Sequence, residues 1–233
     1  MPQVPLILNI ETATEVCSVC LSLGKEMLRL EEEPGPNDHA RVITALIDEC
    51  LRGAGIRIKE LNAVAVSTGP GSYTSLRVGI STAKGICFAL GIPLIAVDTL
   101  QALAMAGYQQ EKDEAALYCP MIDARRMEVY CALFDHKNKV VAAVSAKIIQ
   151  EDSFQDYLAS GQKIIFMGSG SDKCKAPLKS PQAAFIPLLS SARHLPVFSG
   201  SAYEEESFAD LAYFTPTYLK GPNITTAKAN YFK

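Results

Sequence analysis

The stretch VSTGPGSYTSLRVGISTAKG, residues 66–85, sets Gly69, Pro70 and Gly71 directly ahead of a helix-forming run. Glycine permits positive φ and close backbone approach. A helix N-terminus presents free N–H groups and the positive end of its dipole. Gly69, Gly71 and Ser72 are therefore candidate contacts to a nucleotide or another anion. The patterns that let such a loop grip phosphate on its own are missing. Neither GxxxxGK[ST] nor GxGxxG occurs, and Lys84 lies about two and a half turns into the helix, out of reach of the loop. A second candidate is NIETATEVC, residues 9–17. There Glu11 is placed to hold a hydrated magnesium, and Thr12 or Thr14 to touch phosphate. The plainer reading is a hairpin turn with threonine–backbone bonds.

Other sets offer less. Cys17 and Cys20 have the spacing of a metal or redox motif, but they sit in EVCSVCLSL, which alternates like a strand. Residues three apart on a strand point to opposite faces, and no second CxxC or nearby histidine completes a site. Ser72 is not a GxSxG nucleophile, because Thr74 occupies the +2 position, and no histidine is placed to activate it. GSGS at 168–171 is a weak signal for a nucleotide cleft. No metal ligands and no catalytic residues are expected in this chain.

Bulk properties narrow the classes further. The chain has 233 residues, 48% of them hydrophobic and 20% charged, enough to bury a large core. Its formal net charge is −3 with no long basic run, so any grip on nucleic acid would have to come mostly from a partner. No run of 18 apolar residues suggests a membrane span, and MPQVPLILNIETAT lacks a basic leader region. Seven cysteines, mostly in apolar runs, fit free thiols in a reducing cytoplasm.

The elements that must hold these residues read as follows. VPLILNIE, VCSVCLSLG and EMLRLEEE form a three-stranded meander. HARVITALIDECLRGAG is an amphipathic helix with Val42, Ile43, Leu46, Ile47, Cys50 and Leu51 on one stripe, capped by Asn37 or Asp38 and ended by Gly53 and Gly55. LNAVAVSTG is a strand. A helix follows from about Ser75 to Leu90, then the strand PLIAVDTL and a helix from Thr99. This β-β-β-α-β-α-β-α order is that of the actin-like and Hsp70-like ATPase fold (ribonuclease H-like), an α/β architecture in two lobes; by itself it speaks to fold and not to chemistry. The first lobe is expected to span residues 1–108. Residues 109–233 are expected to form a reduced second α/β lobe. Within it a helix over AYEEESFADLAYF, near 200–214, packs back on the first lobe, and an extended or partly disordered polar tail follows. No internal repeat of fixed period is evident.

The helix after the glycine loop carries Gly79 and Gly85 among Leu76, Ile80, Ala83, Ile86 and Leu90. A mid-helix glycine costs about 1 kcal/mol relative to alanine, so two of them call for close packing, either against the protein's own sheet or across a protein–protein seam.

Residues 67–104, STGPGSYTSLRVGISTAKGICFALGIPLIAVDTLQALA, resemble the signature block of the bacterial TsaB family, also called YeaZ. LNIETAT, DARRMEVY (residues 123–130) and TPTYLK extend the likeness over nearly the whole chain. The resemblance implies the two-lobed actin-like fold and a non-catalytic relative of TsaD, the enzyme that transfers threonylcarbamoyl from threonylcarbamoyl-AMP to N6 of the adenosine 3′ of the tRNA anticodon. It implies a TsaD-type paralogue as partner in a heterodimer, a TsaE-type ATPase as a third member, and tRNA engaged indirectly. This chain itself would require no cofactor, with ATP expected at the cleft or a partner interface if anywhere. TsaD-type enzymes hold a metal through an HxxxH pair, and His39, His136 and His194 include no two residues four apart. The first two long helices are then expected to form the seam against TsaD, through His39, Ile43 and Ile47 and through Arg77, Gly79, Ile80, Ala83 and Gly85. Alone, the same surface would pair two copies. Asp123, Arg125, Arg126 and Glu128 read as a salt-bridged turn, with a contact to a partner or to tRNA phosphate as the alternative. An independent small-molecule kinase or ATPase, dependent on Glu11, is the competing reading. A metal-dependent peptidase is disfavoured by the histidine count.

Overall fold

The apolar runs of the first half assemble into one sheet and those of the second half into another. The computed structural model describes residues 4–33, 35 and 38–220. The first sheet takes β1 (Leu6–Glu11), β2 (Cys17–Leu23), β3 (Glu26–Glu33), β4 (Ala63–Ser67) and β5 (Leu94–Val97) in the order β3-β2-β1-β4-β5. β1, β2 and β3 pair antiparallel, and β4 and β5 join β1 in parallel. A parallel partner needs a crossover, and the crossovers are helices. α1 (His39–Ala54) precedes β4 and α2 (Tyr73–Leu90) precedes β5. α3 (Thr99–Glu111) leads to the second lobe.

The second sheet holds β6 (Leu117–Asp123), β7 (Glu128–Phe134), β8 (Val140–Ile148), β9 (Ile164–Met167) and β10 (Ala183–Phe185) in the order β10-β9-β6-β7-β8. It therefore repeats the plan of the first: an antiparallel meander, then two parallel strands on the other side of its first strand. The helices are what is reduced. Between β8 and β9 only the one-turn α4 (Gln155–Leu158) remains, and a 3₁₀ turn at Asp172–Cys174 precedes β10.

Periodicity positions α1 as its sequence implies. Ile43, Leu46, Ile47, Cys50 and Leu51 are buried and pack on β2 and β3. Asp38 caps the helix by accepting the Ala40 N–H at 3.1 Å, and Gly55 ends it at φ 71° in the left-handed region. Asn37, the other cap candidate, lies outside the described residues. α2 starts two residues earlier than the pattern suggests, with Ser72 as its cap.

Two expectations about the lobes need correction. α3, assigned to the first lobe, packs mainly on β6, β7 and β9, with Leu100, Leu103 and Ala104 beside Tyr118 and Ile122, while Ala102 faces β1, β4 and β5. It is the wall between the sheets. The helix expected near 200–214 starts earlier and ends sooner. α5 instead covers Pro196–Glu204, started by proline at its first turn, and Glu206 at φ 52° turns the chain out of helical geometry. α5 does pack on β1 and β5 of the first lobe, where Ser199 donates to Asn9 at 2.6 Å. Beyond it the chain runs as an irregular strap to residue 220, tied to β5 by the Ala209 N–H to the Leu94 carbonyl at 2.8 Å. The polar tail after residue 220 lies outside the described residues. Among those residues no helix is long and apolar enough to cross a membrane.

The two interior glycines of α2 behave differently. A methyl at Gly79 would lie 2.2 Å from the Thr12 hydroxyl, whereas one at Gly85 would meet nothing within 4 Å. Thr12 is fully buried and β-branched, so it cannot easily swing away. Gly79→Ala is therefore expected to lose about 1–3 kcal/mol in chemical denaturation, and Gly85→Ala to gain up to about 1 kcal/mol from helix propensity.

Candidate functional site

Between the lobes lies a cleft of about 610 Å³. Corresponding pieces of the two sheets form its walls. The first lobe contributes the β1–β2 turn at Ala13, Thr14 and Glu15 and the loop into α2 at Pro70–Ser75. The second contributes the β6–β7 turn at Asp123–Arg125, together with Ser169. The strap closes one side with Thr217, Tyr218 and Lys220. This is the place where a ligand would sit in such a fold, so each sequence candidate can be measured against it.

Gly71 lines this region and Gly69 lies buried behind it, and both serve packing first. Gly69 has φ 101° and a cis bond to Pro70. A methyl on Gly71 would lie 2.3 Å from the Ala13 carbonyl oxygen. The loop amides are also spoken for. Thr68 N–H donates to Val97 O at 2.9 Å, Gly69 N–H to Thr99 Oγ1 at 3.1 Å, and Ser72 N–H to Ala13 O at 2.8 Å. Ser72 Oγ accepts from Ser75 N–H at 3.4 Å, capping α2. Four of the N–H groups near the loop, those of Thr68, Gly69, Ser72 and Ser75, are thus used inside the protein.

Glu11 and Thr12 do not reach the cleft. Glu11 is 1% exposed; its Oε1 accepts the Ala13 N–H at 2.6 Å and the Ser67 hydroxyl at 2.7 Å. Burial pushes its carboxyl up to about 7, against the pull of those hydrogen bonds, and the carboxylate of Asp98 adds to the rise. Asp98, the cap of α3, is itself raised by burial. Thr12 packs under Gly79, and its hydroxyl has no hydrogen-bond partner among the described residues. The magnesium-holding role expected of Glu11 and the phosphate-touching role expected of Thr12 are corrected to structural ones, whereas Thr14, the other candidate, does line the cleft.

The other expectations sort as follows. Cys17 and Cys20 are buried strand cysteines, and burial pushes both thiols up to about 12. The hairpin at 123–128 is ion-paired, Asp123 to Lys173 at 3.1 Å and Glu128 to Lys220 at 2.5 Å. Arg125 and Arg126 sit at φ 73° and 50° in its turn, and Arg125 faces the cleft. The three histidines are far apart in role. His39 Nε2 meets the Thr14 carbonyl at 2.9 Å, His136 lies 6.0 Å from the Tyr108 ring, and His194 Nε2 meets Leu189 O at 3.2 Å.

The seam residues also change standing. His39, Ile43, Ile47, Gly79, Ile80 and Ala83 are all buried within this chain, so they position the two helices and do not present a surface. Arg77 is exposed but engaged. Its guanidinium lies 4.2 Å over the Tyr73 ring, its Nε donates to Tyr218 Oη at 3.0 Å, and Tyr218 rests on Tyr73 at 4.7 Å. Lys84 donates to the Ala212 and Phe214 carbonyls of the strap. Besides Thr74 near its start, Ser81, Gly85, Phe88 and Ala89 remain open on α2, and the adjoining α1 exposes Ala40, Arg41, Thr44, Ala45, Asp48 and Glu49. Phe88 is 82% exposed. Sequence reasoning passed over it, although it falls off the Leu76–Ile80–Ala83–Cys87 stripe and so could have been read as outward-facing.

The comparisons with known proteins meet this geometry. Residues 35–229 match the family described as TsaD, tRNA N6-adenosine threonylcarbamoyltransferase. The tRNA threonylcarbamoyladenosine biosynthesis protein TsaB of Escherichia coli is 33% identical over 62% of this chain and 64% of its own length. That of Bacillus subtilis is 28% identical over 79% and 80%. The solved YeaZ of Pseudomonas aeruginosa superposes with a TM-score of 0.80 at 26% identity, covering 92% of this chain and all of that one. The chain belongs to the TsaD family, and within it to the TsaB (YeaZ) group. The two-lobed actin-like fold is thereby shown. The match to the E. coli TsaB spans just under two thirds of that protein. In this TsaB-group chain, the acid that ends β1 is a buried core group.

That burial has a pH signature. A carboxyl held above its ordinary value in the fold favours folding while protonated. The contribution is complete below about 4.5 and is lost as pH rises through about 7. Stability from denaturant titration should therefore fall by on the order of 3 kcal/mol through this group between pH 5 and pH 8. Glu11→Gln should flatten that part of the profile.

Proposed function

We propose that this chain is the partner subunit of a TsaD-type enzyme in forming threonylcarbamoyladenosine in tRNA, acting by scaffolding or activating that enzyme in the cytoplasm. The single observation that carries the reading is the open outer face of α1 and α2. Phe88 stands almost fully exposed there, with exposed Gly85 and Ala89 beside it on α2, and the inner faces of both helices are buried. A large exposed apolar side chain on a rigid helix is the form of a hot spot that fills a partner's pocket. Membership in the TsaB group names the kind of partner, and the names of the curated relatives supply the pathway. The chain contains no histidine pair four residues apart, which supports assigning the chemistry to the partner.

In this reading the seam is the same pair of helices expected from sequence, with the residues revised. Ser81, Gly85 and Phe88 with Thr44 and Asp48 make the contact, while Ile43, Ile47, Gly79, Ile80 and Ala83 set its shape. A TsaE-type ATPase joins the pair, tRNA is engaged through the complex, and ATP, if bound, sits at the interlobe cleft or a subunit interface. When this chain is alone, two copies pair through the same face.

The seam is tested by titrating full-length chain with its TsaD-type paralogue in a calorimeter. Phe88→Asp and Gly85→Leu both point into open space and should fold normally. Each is expected to weaken binding at least about tenfold, and to lower the homodimer fraction in light scattering. Wild-type affinity in both would overturn the seam. Gly79→Leu, by contrast, tests only the fold.

A further inference from the structure

One face of the second sheet gathers thiols, a hydroxyl and an ammonium group. The register pairs Met121 with Cys131, Cys131 with Ser145, and Val129 with Lys147. Side chains alternate across a strand, so Cys131, Ser145 and Lys147 share one face, and Cys119 joins them one diagonal step from Cys131. Cys119, Cys131 and Cys174 belong to one apolar cluster together with Phe154, which covers this face. Lys147 Nζ is held 4.7 Å from the Phe154 ring centroid, a cation–π contact that keeps the ammonium beside the strand pair. Cys174 is committed elsewhere, its thiol donating to Gly170 O at 3.2 Å.

This arrangement opens on a cavity of about 180 Å³ lined by Cys131, Ser145, Lys147 and Phe154, with exposed Asp152 and Asp156 at the rim. The cavity shares no lining residue with the interlobe cleft. Cys131 is itself only 3% exposed, so a reagent reaches its thiol through this opening alone, past a hydroxyl and an ammonium on the same sheet face, the surroundings that activate a cysteine. The space admits only small molecules, and the two carboxylates at the rim disfavour anionic reagents such as oxidised glutathione.

We propose that Cys131 is a reactive thiol that is oxidised by small neutral peroxides, with Cys119, Ser145 and Lys147 positioning its thiolate. The Cys131 sulfur, having lost its proton to solvent, attacks one peroxide oxygen. The S–O bond forms and the O–O bond breaks. Sulfur is oxidised to the sulfenic acid, and the departing hydroxide takes up a proton to become water. The proton affinities agree with the geometry. Hydrogen bonding from the Cys119 thiol, against the opposing effect of burial, and the nearby Lys147 charge hold the Cys131 thiol below its ordinary range. Burial pushes the thiols of Cys17, Cys20, Cys50, Cys87, Cys119 and Cys174 up.

The test treats the native full chain with limiting hydrogen peroxide and a dimedone probe, and ranks the seven cysteines by peptide mass spectrometry. Cys131 should be trapped about tenfold faster than any other. Lys147→Met should slow it several-fold, and Lys147→Arg should restore it. Iodoacetamide labelling of the unmodified chain, which needs no variant, should give the same ranking. Labelling of Cys131 no faster than its neighbours, labelling only once urea has unfolded the chain, or an unchanged rate in Lys147→Met would each overturn the proposal.

Discussion

The turn between β1 and β2 presses on the start of α2 at two points where only glycine leaves room. Gly71 meets the Ala13 backbone and Gly79 meets the Thr12 side chain. The Ser72 N–H completes the contact by donating to Ala13 O at 2.8 Å. This close approach fixes where α2 lies on the sheet and which way it faces. It uses the Ser72 amide, and it buries Thr12 beneath the helix. It also turns Ser81, Gly85 and Phe88 outward. A side chain at either glycine would lift α2 from its bed and shift both the cleft lip and the outer face. The glycine loop thus acts as a packing device, with the amides of Thr68, Gly69 and Ser72 bonded inside the protein.

The same constraint explains why the acid that ends β1 does no work in the cleft. Glu11 is enclosed by Ala13, Ser67 and the carboxyl of Asp98, all held by the turn and its neighbours. The two-sheet plan is kept complete while the helices of the second lobe shrink to single turns. The strap then ties the lobes from outside, stacking Tyr218 on Tyr73 and pairing Lys220 with Glu128. The helices are held rigidly by these contacts, and rigid elements bind a partner at lower ordering cost than mobile ones.

Much of this was legible in the sequence, for identifiable reasons. The β-β-β-α-β-α-β-α order follows from periodicity and punctuation, and the α1 stripe is buried as its spacing implies. The demand for close packing around Gly79 was readable, because a helix rarely keeps a costly glycine without cause. What it packs against was not, since Thr12 lies 67 residues away in the chain. Of the expected seam residues, His39, Ile43, Ile47, Gly79, Ile80 and Ala83 are claimed by the monomer's own core, while Arg77 and Gly85 stay exposed, because apolar periodicity marks a buried stripe without saying what buries it. Glu11 was misjudged because local spacing carries no information about burial. The repeated sheet plan left no trace because topology can persist without repeated sequence. The last helix was misplaced because the charged run at 204–206 sits at its end and not in its middle.

Hydroxyl-radical footprinting of the chain with and without its TsaD-type paralogue tests the account most directly. Phe88 and Tyr213 start nearly equally exposed, at 82% and 84%, so each serves as a control for the other. If the outer face of α1 and α2 is the docking surface, oxidation of Phe88 falls sharply on complex formation while that of Tyr213 is unchanged. Protection of Tyr213 with Phe88 still fully reactive would place the partner elsewhere and contradict the account.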